Sequence, residues 1–322
     1  MDRTRGSSNA VEDSSAMWIG VDIGGSGARM WRIQRKLRGG TRSLAAAWQT
    51  CGQGKELLWD KSPWQPLSVN QQRLGGSSSI DNEELVEAQS RTKQLASAIH
   101  TITNGMPFHL AIAAPGLRSQ DQRGLVVMRN APRFPTLLDT LESILPCLSS
   151  HLYGDGVAGA AGELWGSPDS FRGASNGFYL AGGTGLAEAL IQKGAPFELG
   201  PPWTKAWEIE LASGETLEDS LAPYRLNQEP TNLVDDGKLA TEVVVHRLAT
   251  YVERRCADFL SIEGVELDRL VVGQGLARVL EQVPLPRKPW ASLVRISSER
   301  ASPALGAVAL AQQGLQQSHA KA

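Results

Sequence analysis

Asp22 closes an apolar run, WIGVD, and after Ile23 come four small residues: Gly24, Gly25, Ser26 and Gly27. Three of these positions lack a β-carbon, so the backbone can come close to a ligand. Successive N–H groups of such a turn form an anion-binding nest, and a carboxylate at a strand end can hold a magnesium ion through water. The same residues also make a plain hairpin turn, and the segment alone allows either reading. It is not a dinucleotide fingerprint, because GARMWRI continues it as a strand and not as a helix.

A second turn, Ala181-Gly182-Gly183-Thr184-Gly185, repeats the design and adds a hydroxyl suited to a phosphate oxygen. Two such turns facing one another across a cleft could grip a nucleoside triphosphate from both sides. Between them, LYGDGVAG ends a strand at Asp155 and opens a helix. Asp155 is then either a helix cap or a general base, accepting a hydroxyl proton while a terminal phosphoryl group is transferred. The junction LVVGQG places Gly273 and Gly275 where a flat base could lie over the backbone.

The elements that carry these residues follow from the pattern of apolar positions. MWIGVDIGG and GARMWRI read as a hairpin, with a third strand near SLAAAWQTC. LSVNQQRLGGSSSIDN reads as loop, and Asp81 or Asn82 caps a helix that sets Leu85, Ala88, Leu95, Ile99 and Ile102 roughly on one face. FHLAIAAPG is a buried strand running into a Pro-Gly turn, followed by GLVVMRNAP, a helix near TLLDTLESIL and the strand HLYGD. From Gly156 the pattern restarts: a small-residue helix, a strand-turn-strand unit, a long helix from LATEVVVH onward, the strand LDRLVVGQG and an Ala-rich closing helix. The expected organisation is a disordered tail over 1–16, α/β lobes over 17–155 and 156–300, and a helix over 301–322 packing back on the first lobe.

Composition narrows the partners. A net charge of -2 gives no basic field of the kind that draws a protein onto nucleic acid or anionic lipid. Cys51, Cys147 and Cys256 are too scattered for a disulfide framework or a cysteine zinc site. No apolar run reaches the roughly 20 residues a membrane helix needs, and the opening MDRTRGSSNAVEDSSA has no signal-peptide core, so a cytoplasmic protein is expected. The nine tryptophans form no repeat.

The order of these motifs resembles the sugar-kinase branch of the actin/Hsp70/hexokinase (ASKHA) superfamily, particularly the ROK (repressor, open reading frame, kinase) family and bacterial glucokinases, over most of residues 17–316. DIGGSGARM looks like the phosphate-1 motif, AIAAPG like the connecting strand, and GDGVAGAAGE like the segment with the catalytic aspartate. LAGGTGLAEALI is similar to the phosphate-2 strand pair, VVGQG to the adenosine motif and SPALGAVALA to the closing helix. The resemblance implies a two-lobed actin-like ATPase (ribonuclease H-like) fold, a mixed sheet flanked by helices in each lobe, and a cleft between them. It implies ATP- and magnesium-dependent phosphorylation of a hydroxyl on a sugar or sugar-like small molecule. Asp155 would be the base, Asp22 would orient the metal, Gly24, Gly25, Ser26, Gly27 and the 182–185 turn would hold phosphates, and Gly273 and Gly275 would bracket the adenosine.

Asn130, in RNAP, falls where the family has a sugar-binding asparagine, and Glu198, in FELGPP, near a glutamate-glycine-histidine sugar contact; a turn residue and a surface charge remain the plain alternatives. The family's asparagines around the catalytic aspartate are missing, with Gly154 before Asp155 and Val157 two residues after it. Pro201 stands for the histidine, and PPWTKAWEIELASG has none of the cysteines of the family's zinc motif, so no zinc is expected. These departures keep a second reading open, a weak or inactive relative that binds nucleotide or sugar as a sensor or scaffold. The resemblance leaves room for a homodimer.

Overall fold

A run buried at six of its seven positions forms β1 (Met17–Ile23), and such a strand belongs at the centre of a sheet covered on both faces. The computed structural model describes residues 17–36, 47–75, 80–166, 170–183, 185–211, 213–223, 234–235, 238–239 and 241–321. The tail and the first part of the expected third strand lie outside them. In chain order, β1 is followed by β2 (Gly27–Lys36), β3 (Ala47–Leu58), the helices α1 (Val69–Gly75) and α2 (Asn82–Thr103), and β4 (Phe108–Ala114). A small ribbon, β5 (Leu117–Arg118) and β6 (Leu125–Val127), precedes α3 (Leu137–Ile144) and β7 (Cys147–Gly154). The sheet runs β3-β2-β1-β4-β7, antiparallel across β3, β2 and β1 and parallel from β1 to β7.

The second half opens with α4 (Asp155–Trp165) and continues with β8 (Gly177–Gly182), β9 (Leu186–Gln192) and β10 (Ala195–Glu198). After α5 (Leu217–Leu221) come the short pair β11 (Val234–Asp235) and β12 (Lys238–Leu239), the long α6 (Thr241–Glu263), β13 (Arg269–Gly273), α7 (Gln274–Leu280), α8 (Pro289–Leu293), β14 (Val294–Ile296) and α9 (Ser302–Lys321). Its sheet runs β10-β9-β8-β13-β14, again antiparallel across the first three and parallel across the rest. The two sheets thus share one topology, which gives structural form to the similar openings of the two halves. The fold is α/β and two-lobed, with a mixed sheet flanked by helices in each lobe.

Each lobe has its own core. Ile19, Leu110, Ile99 and Leu141 are fully or almost fully buried in the first. In the second, Phe178, Trp203 and Phe259 meet edge to face, the arrangement that aromatic quadrupoles favour. The Ala-rich α9 packs against α4 and lays Ala304, Ala307 and Val308 on Trp18, Ala111 and Ala113 of the first sheet. Among the described residues no helix is long and apolar enough to cross a membrane.

One segment departs from expectation. LSVNQQRLGG, read as loop, opens with α1: the Ser68 hydroxyl accepts the Gln71 N–H at 3.3 Å, and Gln72 turns inward to clamp the Met128 backbone, donating to its oxygen at 2.7 Å and accepting its N–H at 2.8 Å. Gln72 here satisfies a buried backbone, while Asn70, Gln71 and Arg73 face solvent. Asp81 caps α2 as expected, accepting the Glu84 N–H at 2.7 Å.

Candidate active site

The parallel strands of both sheets end at one cleft of about 990 Å³. β1 delivers Asp22, β7 delivers Gly154 and Asp155, β8 delivers Gly182 and Gly183, and Gly275 follows β13 at the start of α7. Ligands of open α/β sheets bind beyond the carboxyl ends of the strands. The structure therefore brings Asp22, Gly24, Gly25, Ser26, Gly27, Asn130, Asp155, Gly182, Gly183, Gly185, Glu198 and Gly275 to one cavity. Thr184 lies outside the described residues. Gly273 is buried behind the wall, where a β-carbon would lie 2.6 Å from the Tyr179 hydroxyl.

The first turn is held from one side. The Gly24 N–H donates to the Gly27 oxygen at 2.8 Å, closing the turn. Trp59 Nε1 donates to the Gly24 oxygen at 3.1 Å, Arg91 Nη1 to the Gly25 oxygen at 3.3 Å, and the Trp59 N–H to the Ser26 oxygen at 3.1 Å. In a trans peptide the N–H points opposite to the carbonyl before it. With the carbonyls of 24 and 25 committed, the N–H groups of Gly25 and Ser26 face the other way, the geometry of an anion nest. Trp59, one of the tryptophans the sequence left unexplained, is a buttress of this turn. Across the cleft the second turn is closed by the Gly183 N–H donating to the Gly185 oxygen at 3.0 Å, and it pairs through Gly182 with Gln274.

Asp155 is the first residue of α4, and Gly154 is its cap, so the plain capping reading of Asp155 is corrected. Its Oδ1 accepts the neighbouring Gly156 N–H at 2.9 Å. Desolvation at the cleft floor, reinforced by the charge of Asp22, raises its pKa to about 7. Burial likewise lifts Asp22 to about 6, against the pull of Arg29. Arg29 Nη2 donates to Asp22 Oδ2 at 2.6 Å and reaches over to Gln274 Oε1 at 2.8 Å.

Arg29 has company. Four arginines of the first lobe meet groups of the second: Arg29 meets Gln274, Arg118 Nη2 meets Glu198 Oε1 at 2.5 Å, Arg129 Nη1 meets Glu218 Oε1 at 2.7 Å, and the Arg73 guanidinium lies 4.2 Å over the Trp207 ring. Glu198 is an exposed charge, 46% accessible, and its carboxylate lies beside Gly154 at the cleft. Asn130, with φ +59, is a turn residue and lines the cleft as well. Arg118, Arg129 and Glu218 were missed from sequence; the available signals were the Arg next to Asn130 and the ELASGETLEDS segment that holds Glu218.

Magnesium is bound in nucleotide sites by one or two carboxylates, with substrate phosphates and water completing the shell. Among the described residues no group of three or more His, Cys, Asp or Glu could hold a metal. Asp22, with Oδ2 engaged by Arg29, fits that shared kind of site and not a protein cage.

Two lobes of matched topology around one cleft give the chain a fold similar to that of several solved ROK family kinases and glucokinases. No protein-family model matches the chain, and no curated protein matches it. Among solved structures it is similar to a ROK family glucokinase from Streptomyces griseus in complex with glucose and AMPPNP, with TM-score 0.59 and 17% identity over 92% of this chain and 99% of that one. The inorganic polyphosphate/ATP-glucomannokinase of Arthrobacter sp. strain KM gives TM-score 0.58 and 14% identity over 93% of this chain and 100% of that one. A ROK family transcriptional regulator, a homologue of the E. coli MLC protein, gives 0.52 and 13% over 91% and 77%.

Proposed function

We infer that the protein is an ATP-dependent kinase that phosphorylates a hydroxyl of a sugar or sugar-like small molecule, with Asp155 as general base. The observation that carries this reading is the convergence of two glycine turns and a carboxylate raised to about 7 on one cleft. A base poised near neutral pH both takes a proton and gives it up readily.

In the step, the acceptor hydroxyl passes its proton to Asp155 as its oxygen bonds to the γ-phosphorus. The bond from that phosphorus to the β,γ-bridging oxygen breaks, and its electron pair leaves on ADP. The N–H groups of Gly25 and Ser26 on one side and the 182–185 turn on the other bind the phosphates, and positioning supplies most of the acceleration. Asp22 would contribute the protein's ligand to magnesium, which supplies charge neutralisation on the triphosphate. Asn130 and Glu198 would receive the acceptor's hydroxyls. The similar glucokinase, crystallised with glucose and AMPPNP, and the similar ATP-glucomannokinase support this reading.

The similar transcriptional regulator favours a second reading, a sensor that binds nucleotide or sugar without turnover. Gly154, Val157 and Pro201, in place of the family's polar residues, point the same way. Purified protein incubated with ATP, magnesium and a panel of sugars separates the two. Turnover above an Asp155→Ala control is expected; nucleotide-induced thermal stabilisation without any turnover would leave the sensor.

A further inference from the structure

Arg129 stands between the two glycine turns. A β-carbon on Gly25 would lie 3.8 Å from the Arg129 carbonyl oxygen and 3.4 Å from that of Asn130, while one on Gly185 would lie 3.2 Å from Arg129 Nη1. The side chain thus begins against the first turn and ends against the second.

Its backbone is fixed on both sides. Gln72 clamps Met128, and Glu84 accepts the Arg133 N–H at 2.8 Å together with that residue's Nε at 2.9 Å. Its guanidinium is less tied: it meets Glu218 at 2.7 Å and Asp219 at 3.5 Å, with the side chain 41% exposed. Arg129 is the solvent-facing end of a pair whose carboxylate is buried, 9% exposed, so the guanidinium can turn toward a more highly charged anion in the cleft. The other arginines that span the cleft are engaged elsewhere, Arg29 on Asp22 and Gln274, Arg118 on Glu198, and Arg73 on Trp207.

We propose that Arg129 is a further catalytic residue, whose guanidinium leaves Glu218 and binds the terminal phosphoryl group of the nucleoside triphosphate held between the turns. The proposal rests on the kinase reading of the same cleft. A planar guanidinium fork matches phosphate oxygens two at a time, and the transferred phosphoryl carries more charge than one carboxylate. The exchange also releases Glu218, whose Oε1 then keeps the Leu186 N–H, at 2.9 Å in this structure, and can accept an acceptor hydroxyl. Nucleotide binding, release of a cleft carboxylate and joining of the lobes become one event.

The test is the ratio of ATP to ADP affinity, measured by calorimetry with magnesium for the wild type, Arg129→Gln and Arg129→Lys. Arg129→Gln should weaken ATP binding about tenfold and leave ADP within about twofold, with Arg129→Lys in between. The double variant R129Q/E218Q, which removes the carboxylate along with its partner, guards against a folding defect and should show the same loss of discrimination. Equal weakening of both nucleotides, or no change in either, overturns the proposal while leaving the kinase reading intact. A wild-type protein that binds neither nucleotide overturns both.

Discussion

The Glu198 carboxylate fills the space beside Gly154: a β-carbon built on Gly154 would lie 2.9 Å from Glu198 Oε1, the same oxygen that holds Arg118. Beside Asp155 this cleft brings in an ion pair from two other segments. The obstacle to a side chain at 154 is the end of a flexible residue, so Gly154→Ala should fold normally and push Glu198 aside. Its KM for the acceptor should change by about fivefold or more, with KM for ATP unchanged, since one polar contact to a hydroxyl contributes on the order of 1 kcal/mol. Steady-state kinetics with each substrate varied in turn checks this.

Asp155→Asn should lower kcat by about 10² to 10⁴, the usual contribution of a positioned base, while ATP still binds. In the wild type kcat/KM should climb with pH and level off above about 7, because the base works only when deprotonated. A profile flat from pH 5 to 9 would remove Asp155 from the proton transfer.

The same carboxylate costs stability. Its folded pKa of about 7 exceeds the 3.8 of an ordinary aspartate, so between those pH values the folded protein holds the proton more tightly than the unfolded chain, and stability is lost as pH rises through the window. Asp155→Asn should therefore melt higher than wild type at pH 8, by on the order of 1–2 kcal/mol once solvent in the cleft is allowed for, and no higher near pH 4. Thermal denaturation at the two pH values tests the sign.

Glu84 and Arg133 are buried to 1% and 0% exposure and joined by Nη2 to Oε2 at 2.6 Å, besides the two bonds to Oε1. Removing one partner of such a pair costs about 3–5 kcal/mol, whereas replacing both by apolar residues of similar size is often neutral. Glu84→Ala should therefore shift the urea midpoint strongly downward, and E84L/R133M should recover most of the loss. Acceptor KM should rise in the single variant, because this pair anchors the segment that carries Asn130.

Local signals in the sequence were enough for the strand-turn-strand units, since apolar runs ending at Asp22 and Gly182 leave the chain few ways to continue. They were enough for the Asp81 cap as well. Partnerships across the lobes were not readable. Arg129 and Glu218 stand 89 positions apart, and nothing periodic links an arginine in a turn to a glutamate in a five-residue helix. α1 was missed because its one inward polar residue, Gln72, satisfies a buried backbone and looks from sequence like its exposed polar neighbours. Trp59 was visible as a residue but not as a donor, because its role depends on the fold bringing it under the Gly24 carbonyl.

Gly183 and Gly275 separate the ligand role of the second turn from its structural role. Nothing lies within 4 Å of a β-carbon at Gly183, and its φ is outside the left-handed region, so a side chain there meets only the cleft. At Gly275 the added carbon would run into the Gly182 carbonyl, a backbone atom that cannot swing aside. Gly183→Val should then fold with a melting temperature within about 1 °C of wild type, a shift of under about 1 kcal/mol, while ATP affinity falls about tenfold or more, equivalent to about 1.4 kcal/mol. Gly275→Ala should lose stability first, by about 1–3 kcal/mol for the forced backbone shift. Melting curves and nucleotide titrations on both variants decide it: if Gly183→Val binds ATP as the wild type does, the second turn is a hairpin and the phosphates lie elsewhere.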